Sequence, residues 1–223
     1  MKSEDYLKLH TKPLIPTNIK IEVEPFKQLM EEYKHAFKRW GVDHYEYNRY
    51  GLPLINLNGD LYNNPEPTCY ALDRWNTYYT DNQYRDHDFR VPTEVYEHEV
   101  FDDMKLYDDF IIRSCILKWK AGSKFMPHTD TIINSDMIRL WGTTNPKSVK
   151  LRFASGHQRC HPYEVSKIEY TLESFDMEIE AGRLYLFDSN IIHDATSYED
   201  DTYQFFIAYD EALYPYINSM IGE

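Results

Sequence analysis

The feature that most restricts the fold of this chain is a succession of short β-type segments between Phe110 and Asp210. Turn residues separate these segments, and no helical pattern lies between them. Regular short strands of this kind are typical of a β-sandwich or a β-barrel. The predicted strands are 111–120, 124–130, 137–142, 148–154, 164–172, 176–180, 183–187 and 202–209.

The strongest helical pattern precedes this β region. Pro25 suits the first position of a helix, and Gly41 suits the position after its end. Between them, apolar residues recur at spacings of three and four, which predicts a helix that packs one face on the core. These residues are Phe26, Leu29, Met30, Tyr33, Phe37 and Trp40. We therefore expect one domain over residues 1–223, with a helical and irregular support region over about 1–110 and a β core over about 111–215.

A candidate metal site begins in the second predicted strand. His128 and Asp130 are two residues apart, and residues at this spacing in an extended segment point to the same face. Two side chains hold a catalytic metal poorly, so we expect a third ligand downstream. His193 is the candidate, because it follows the predicted strand 183–187 and a turn. Two histidines and one carboxylate, with the other positions open, form the ligand set of non-haem Fe(II) oxygenases.

Composition excludes several classes of partner. The net charge of −13 argues against a nucleic-acid backbone, which requires a basic surface. No apolar run is long enough to span a membrane, and the first residues lack an apolar signal region. Cys69, Cys115 and Cys160 are odd in number and widely spaced, which predicts no disulfide framework and a location in the reducing cytoplasm.

Residues from about 111 to 215 resemble the double-stranded β-helix core of the Fe(II)/2-oxoglutarate-dependent dioxygenases. Segment 117–130 resembles the strand, glycine turn and metal motif of prolyl-hydroxylase-type members. Segments 138–142, 149–154 and 181–188, and His193 followed by 203–210, resemble the aspartyl/asparaginyl β-hydroxylase group. The resemblance implies a jelly-roll, cupin-like core with the N-terminal helices on its major sheet. It also implies Fe(II) and 2-oxoglutarate as cofactors, with hydroxylation of a C–H bond in an amino acid, a peptide side chain or a small metabolite.

The resemblance further implies a basic residue that binds the distal carboxylate of 2-oxoglutarate, a task that suits an arginine. In this family group one such arginine lies about ten residues after the distal histidine, where this chain has Tyr203 and Gln204. Another lies about ten residues after the metal motif, where this chain has Arg139. We expect Arg139 to bind the co-substrate, with Gln204 as a neutral partner and Arg152 as a reserve. Trp141 is the candidate for contact with the substrate.

Two other functions fit the same residues. The first is a cupin-like metal-binding protein or enzyme that does not use 2-oxoglutarate. The second is a β-sandwich binding module without enzymatic activity, in which the three metal-ligand candidates are incidental. The segment His157-Gln-Arg-Cys-His161 has half the ligands of a zinc site, but a polar loop over the mouth of the barrel explains it better. The partner is a small molecule or a peptide, and the oligomeric state stays open.

Overall fold

The strand-forming residues of the chain pair into two antiparallel sheets. The computed structural model describes residues 12–39, 49–62, 72, 76–77, 80–130, 137–175 and 177–221. The strands in these ranges are β1 Leu14–Lys20, β2 Lys38–Arg39, β3 Arg49–Asn56, β4 Val91–Pro92, β5 Ile111–Trp119, β6 Lys124–His128, β7 Ile138–Thr143, β8 Val149–Ala154, β9 Leu172–Ser174, β10 Arg183–Phe187, β11 His193–Ser197 and β12 Thr202–Tyr209.

The order of the strands identifies the fold. The larger sheet runs β1-β10-β7-β12-β5-β3-β2, with β4 paired to β3, and the smaller sheet runs β6-β11-β8-β9. From β5 onward the chain passes back and forth between the two sheets, so strands that follow one another along the chain mostly lie in opposite sheets. This winding is that of a double-stranded β-helix, or jelly roll, and it confirms the predicted fold class.

Helices cover the outer face of the larger sheet. The α-helices are α1 Val23–Glu32, α2 Asp102–Lys105 and α3 Ile217–Ile221, and short 3₁₀ turns lie at Lys34–Ala36, Asp86–Asp88, Glu99–Phe101, Asp108–Phe110, Ser155–His157, Pro162–Lys167 and Glu211–Tyr216. None of the described helices is long and apolar enough to cross a membrane. Phe26 of α1 is fully buried and packs edge-on against Phe205 of β12, with ring centroids 4.9 Å apart. Burial of such a side chain is worth about 1.5–3 kcal/mol.

Alternation along the strands divides the core into two parts. In β12, Tyr203, Phe205, Ile207 and Tyr209 belong to the cluster under the helices. Phe206 belongs instead to the clusters between the two sheets. Since side chains alternate across a strand, Gln204 and Ala208 share the inner face with Phe206. We call the space between the two sheets the barrel interior. It is there that the candidate site lies.

The helix predicted over 25–40 is shorter in the structure. Helix α1 ends at Glu32, because Tyr33 leaves the helical region with φ −96° and ψ 15°. The chain then makes a 3₁₀ turn and enters β2, where Lys38 pairs with Gly51 of β3. Trp40 lies outside the described residues, as does most of a short helix predicted over 72–79. Beyond Glu32 the apolar residues still pack on the same core, but the backbone that carries them is not an α-helix.

The strands predicted over 164–172 and 176–180 are also wrong. Residues Pro162–Lys167 form a 3₁₀ helix, with Pro162 at its start, and only Leu172–Ser174 forms a strand. The His161 ring accepts a hydrogen bond from Tyr163 N, and the Glu164 carboxylate accepts one from His161 N. These two caps select the helical turn over an extended segment. No strand occurs over 177–180, and strand β11, which carries His193, was not predicted.

Candidate metal centre

The three predicted ligands come together where β6 ends and β11 begins. His128 and His193 are register partners in this antiparallel pair, and their ring centroids are 4.3 Å apart. Asp130 follows β6 by two residues, and its backbone N–H donates to Ser189 O at 3.0 Å. One ligand atom from each of the three side chains lies within 4.8 Å of the other two. The adjacency of β6 and β11 therefore assembles a His-Asp-His group from parts of the chain far apart in sequence.

Backbone carbonyls orient both imidazole rings. His128 Nδ1 lies 2.7 Å from Met126 O, and His193 Nδ1 lies 2.7 Å from Ile191 O. A carbonyl oxygen only accepts, so each Nδ1 carries the hydrogen and each Nε2 presents a lone pair. His128 Nε2 and His193 Nε2 lie 3.2 Å and 4.0 Å from Asp130 Oδ1. Metal-binding histidines usually donate a hydrogen bond from the ring nitrogen that does not bind the metal, as both Nδ1 atoms do here.

The charges at the centre favour a divalent cation. Burial and the neighbouring His128 lower the pKa of His193 to about 4, so its ring is neutral near pH 7. Burial by itself would raise the pKa of Asp130. The positive charge of the Arg139 guanidinium opposes this effect and holds that pKa well below its usual range. The site therefore offers two imidazole nitrogens and one carboxylate, a set that suits Fe(II).

Arg139 and Gln204 both face the barrel interior, at opposite ends of it. Arg139 pairs with Ala208 in register, whereas Gln204 pairs with Thr143. Four residues along a strand correspond to about 13 Å. Arg139 lies at the metal end, with Nη1 at 3.4 Å from Asp130 Oδ2. Gln204 lies at the far end, so the two side chains do not form one neighbouring pair.

The structure does not bring Arg152 to the metal centre. Arg152 pairs in register with Asp194, next to the pair of Phe153 and His193. Because successive side chains point to opposite faces, Arg152 faces outward from the smaller sheet. There its guanidinium Nε donates to Asp194 Oδ1 at 2.9 Å, and its side chain is 39% exposed.

Trp141, the predicted substrate contact, is buried in the barrel interior with only 3% of its surface exposed. Its indole N–H donates to Gln204 Oε1 at 2.8 Å. Trp141 therefore orients Gln204 and forms an inner wall, and it does not present a surface to solvent.

A second arginine, which no sequence pattern predicted to be buried, lies in the barrel interior. Arg49, the first residue of β3, is only 3% exposed. Its guanidinium carbon lies 3.6 Å from the centre of the Phe125 ring and 5.5 Å from that of Trp119. An arginine at the start of a strand gives no sequence signal of burial, since most arginines in such positions are at the surface.

The loop at 157–161 borders the metal centre and does not form a second metal site. Thr129, between His128 and Asp130, donates to Cys160 O at 3.3 Å, and Ile192 N donates to Gln158 O at 3.0 Å. His161 caps the following 3₁₀ helix. Within the described ranges, His128, Asp130 and His193 are the one group with metal-ligand spacing. The interpretation of this segment as a polar loop thus agrees with its contacts.

No family model matches the sequence, and no curated protein matches it. Among the solved structures, the chain is similar to SnoK, a non-heme alpha ketoglutarate dependent carbocyclase from nogalamycin biosynthesis, with 11% identity, a TM-score of 0.49, and coverage of 93% of this chain and 84% of that chain. It is also similar to a prolyl hydroxylase from Trichoplax adhaerens in complex with a hypoxia inducible factor peptide fragment, with 12% identity, a TM-score of 0.48, and coverage of 99% and 98%. A third is a prolyl-4-hydroxylase of Pseudomonas putida, with 11% identity, a TM-score of 0.45, and coverage of 91% and 95%.

Proposed function

We propose that this protein is an Fe(II)- and 2-oxoglutarate-dependent dioxygenase that hydroxylates a C–H bond. The observation that carries the proposal is the convergence of His128 Nε2, His193 Nε2 and Asp130 Oδ1 inside a jelly roll. Both Nε2 atoms carry lone pairs because both Nδ1 atoms donate to backbone carbonyls. Two imidazoles and one carboxylate are the ligands of non-haem Fe(II) oxygenases, and this set leaves positions open for other ligands.

The residues around the centre have distinct tasks. His128 and His193 hold the metal as neutral ligands, and Asp130 supplies one negative charge. Arg139 donates to the second oxygen of Asp130, so it fixes the direction of that carboxylate. Burial of the His193 ring, which is 5% exposed, limits the access of water on that side. Held in this way, the ligands need little reorganisation when the metal binds.

A 2-oxo acid fits the interior because the interior presents hydrogen-bond donors. Arg139 Nε, Gln204 Nε2 and Trp119 Nε1 are buried without an acceptor in the described part of the chain. We assign Arg139 to the metal end of the co-substrate and Gln204 to its far end. When bound, Fe(II) and 2-oxoglutarate supply an oxidative decarboxylation to succinate that is coupled to oxidation of the substrate. The protein's part is to orient the bound groups and to exclude water.

An amino acid, a peptide side chain or a small metabolite is the proposed substrate class. The net charge of −13 disfavours a nucleic acid. The chain has three cysteines, an odd number, and they lie far apart in sequence. This disfavours a disulfide framework and supports the reducing cytoplasm as the place of action.

The decisive experiment measures oxygen uptake and succinate formation by the Fe(II)-loaded protein, with and without 2-oxoglutarate. We expect 2-oxoglutarate to stimulate both, and His193→Ala to abolish the stimulation. His98→Ala is the matched control, because His98 is exposed and only caps a short 3₁₀ turn. Metal binding without stimulation by 2-oxoglutarate would favour a cupin-like protein. Absence of any Fe(II), Mn(II) or Ni(II) binding would favour a binding module.

A further inference from the structure

One turn holds two of the three candidate metal ligands. We call residues 188–191, which lie between β10 and β11, the ligand turn. Ser189 O of this turn accepts a hydrogen bond from Asp130 N at 3.0 Å, and Ile191 O accepts one from His193 Nδ1 at 2.7 Å. The first contact places the backbone of the carboxylate ligand, and the second sets the direction of the imidazole ring. The conformation of the ligand turn therefore decides where Asp130 and His193 meet.

The carboxylate of Asp188 organises the ligand turn from within. The side chain of Asp188 is only 4% exposed. Its Oδ1 accepts a hydrogen bond from Asn190 N at 3.2 Å, and its backbone oxygen accepts one from Ile191 N at 3.2 Å. An aspartate that accepts from the N–H two residues on fixes the backbone in an Asx turn. The shape of the ligand turn thus depends on where this carboxylate is held.

An arginine from another loop holds the carboxylate. Arg159 donates to Asp188 Oδ2 from both Nε and Nη2, with Nε at 3.2 Å. Arg159 also forms an antiparallel β-bridge with Ile191, and its neighbour Gln158 accepts a hydrogen bond from Ile192 N at 3.0 Å. A hydrogen bond between two charged groups is stronger than one between neutral groups. Arg159 therefore anchors the ligand turn by its side chain and by its backbone.

The loop that carries Arg159 also contacts the other ligand-bearing segment. Cys160 O accepts a hydrogen bond from Thr129 Oγ1 at 3.3 Å, and Thr129 is only 4% exposed. Thr129 lies between His128 and Asp130. The loop 157–161 thus touches both parts of the chain that supply ligands. Contacts outside the ligands themselves commonly orient them and tune the affinity for the metal.

We propose that Arg159 and Asp188 are positioning residues of the metal centre. Their ion pair sets the ligand turn, and the ligand turn sets Asp130 and His193. This inference deepens the proposed function and rests on its metal site. Because the two ligands are held before the metal arrives, loss of the ion pair should weaken metal binding even in a protein that stays folded.

The test measures the Mn(II) dissociation constant of Arg159→Met by competition with a chelating dye, and the absorption spectrum of its Co(II) form. Methionine keeps an unbranched chain but has neither the charge nor the donors of arginine. We expect Mn(II) binding to weaken about tenfold, the lower end of the effect of losing an outer partner of a metal ligand. The Co(II) bands should change in position or intensity, because they depend on coordination geometry. Arg159→Lys keeps the charge and should recover part of the affinity.

Arg152→Met is the matched control. The side chains of Arg152 and Asp194 are 39% and 6% exposed, against 40% and 4% for Arg159 and Asp188. Their ion pair joins β8 to β11 on the outer face of the smaller sheet, where backbone pairing also holds the two strands. We expect both methionine variants to lower stability in urea to a similar extent. Only Arg159→Met should change the Mn(II) affinity and the Co(II) spectrum, which separates positioning from general stabilisation.

A folded Arg159→Met with the Mn(II) affinity and Co(II) spectrum of the wild type would overturn the positioning role. An equal loss of affinity in Arg152→Met would also overturn it. If Arg159→Met does not fold, Asp188→Asn decides, because the amide keeps an acceptor for Asn190 N but lacks the charge that Arg159 binds. Asp188→Asn should show the same loss, and an unchanged affinity in this variant would contradict the proposal.

Two results with the wild type distinguish this inference from the proposed function. Metal binding that depends on Arg159, with no stimulation of oxygen uptake by 2-oxoglutarate, would overturn the proposed function and support the positioning role. A wild type that binds neither Mn(II) nor Co(II) would overturn both.

Discussion

At the scale of single residues, the metal centre depends on hydrogen bonds between residues that are close together in sequence. Each candidate histidine donates from Nδ1 to the carbonyl two residues before it, Met126 O for His128 and Ile191 O for His193. Both tautomers are therefore set by the local backbone and do not require a distant side chain. The carboxylate differs, because its orientation depends on Arg139 from another strand.

The first prediction concerns the pH dependence of the metal-free protein. Folding lowers the pKa of His193 from 6.5 to about 4. The unfolded chain therefore binds a proton more readily, and acidification from pH 6.5 toward 4 should lower the free energy of unfolding by about 3 kcal/mol in total. Above pH 6.5 this contribution is fully present. The lowered pKa of Asp130 adds its own loss only at more acid pH, below about its ordinary value of 3.8.

Urea unfolding in the presence of a chelator, at neutral pH and at about pH 5, measures this loss. His193→Gln should show a smaller loss of stability, because glutamine does not titrate. His98→Gln should behave as the wild type, since His98 is exposed. Equal losses in His193→Gln and the wild type would show that His193 does not carry the effect.

The second prediction separates the two interior arginines. Arg139→Met removes the donor to Asp130 Oδ2 and should weaken Mn(II) binding about 10- to 100-fold, the usual effect of losing a partner of a metal ligand. Arg49→Met should leave Mn(II) affinity unchanged, because the Arg49 guanidinium packs on the Phe125 ring, whose centroid is 5.3 Å from that of His128. Competition with a chelating dye measures both. An unchanged Mn(II) affinity in Arg139→Met would show that Arg139 does not support metal binding, and would leave it only a role in binding the co-substrate.

At the scale of elements, helix α1 packs on the outer face of the larger sheet. Phe26 contacts Phe101 at 6.2 Å, Tyr203 at 5.4 Å and Phe205 at 4.9 Å between ring centroids. Two of these rings belong to β12, whose other face carries Gln204 and Phe206. The helix therefore stabilises the strand that forms one wall of the barrel interior. The stabilising effect of α1 comes from the face that packs on β12, so it does not require the longer helix that was predicted.

We expect Phe26→Ala to lower the free energy of unfolding by about 3–5 kcal/mol, because it leaves a cavity under α1. Leu106→Ala is the control: Leu106 is 77% exposed, and its loss should change stability by no more than about 0.5 kcal/mol. Denaturant unfolding of the metal-free proteins measures both. A loss below about 1 kcal/mol for Phe26→Ala would mean that the helix is not a structural support.

At the scale of the whole molecule, the N-terminal region completes the larger sheet. Strand β1 pairs with β10 at one edge, and β3 pairs with β5 at the other. Helices α1 and α2 contribute Phe26 and Met104 to the cluster on the outer face. The same region delivers Arg49 to the barrel interior, although the chain as a whole carries a net charge of −13. The binding of an anion is thus expected to depend on buried local charge and not on the overall field.

We predict that a fragment beginning near residue 105 does not fold as a soluble monomer. Removal of the preceding residues exposes an apolar face and two unpaired sheet edges, which favours aggregation. Expression of the fragment, followed by circular dichroism and size-exclusion chromatography, measures the result. A soluble monomer with cooperative unfolding would contradict both this prediction and the expectation of a single domain over residues 1–223.

Local patterns in the sequence determined the features that depend on neighbouring residues. Strands β10 and β12 have the predicted bounds, because each is a short run rich in apolar and aromatic residues with turn residues on both sides. The closeness of His128 and Asp130 follows from their spacing of two, although β6 ends at His128. The jelly-roll class likewise agrees with the number and spacing of the β-type segments. Strand β11 was missed because the His-Asp-Ala-Thr-Ser segment has no apolar alternation, and its burial comes from its neighbours.

Only the tertiary structure decided how distant residues share the barrel interior. The registers of β7 with β12, and of β5 with β3, separate Arg139 from Gln204 and bring Arg49 beside Trp119. These registers depend on pairing between segments that are remote along the chain, and a shift of one residue would turn every side chain to the other face. Spacing along the sequence therefore made Arg152 a candidate for co-substrate binding, although it faces outward. It gave no indication that Arg49 faces the barrel interior.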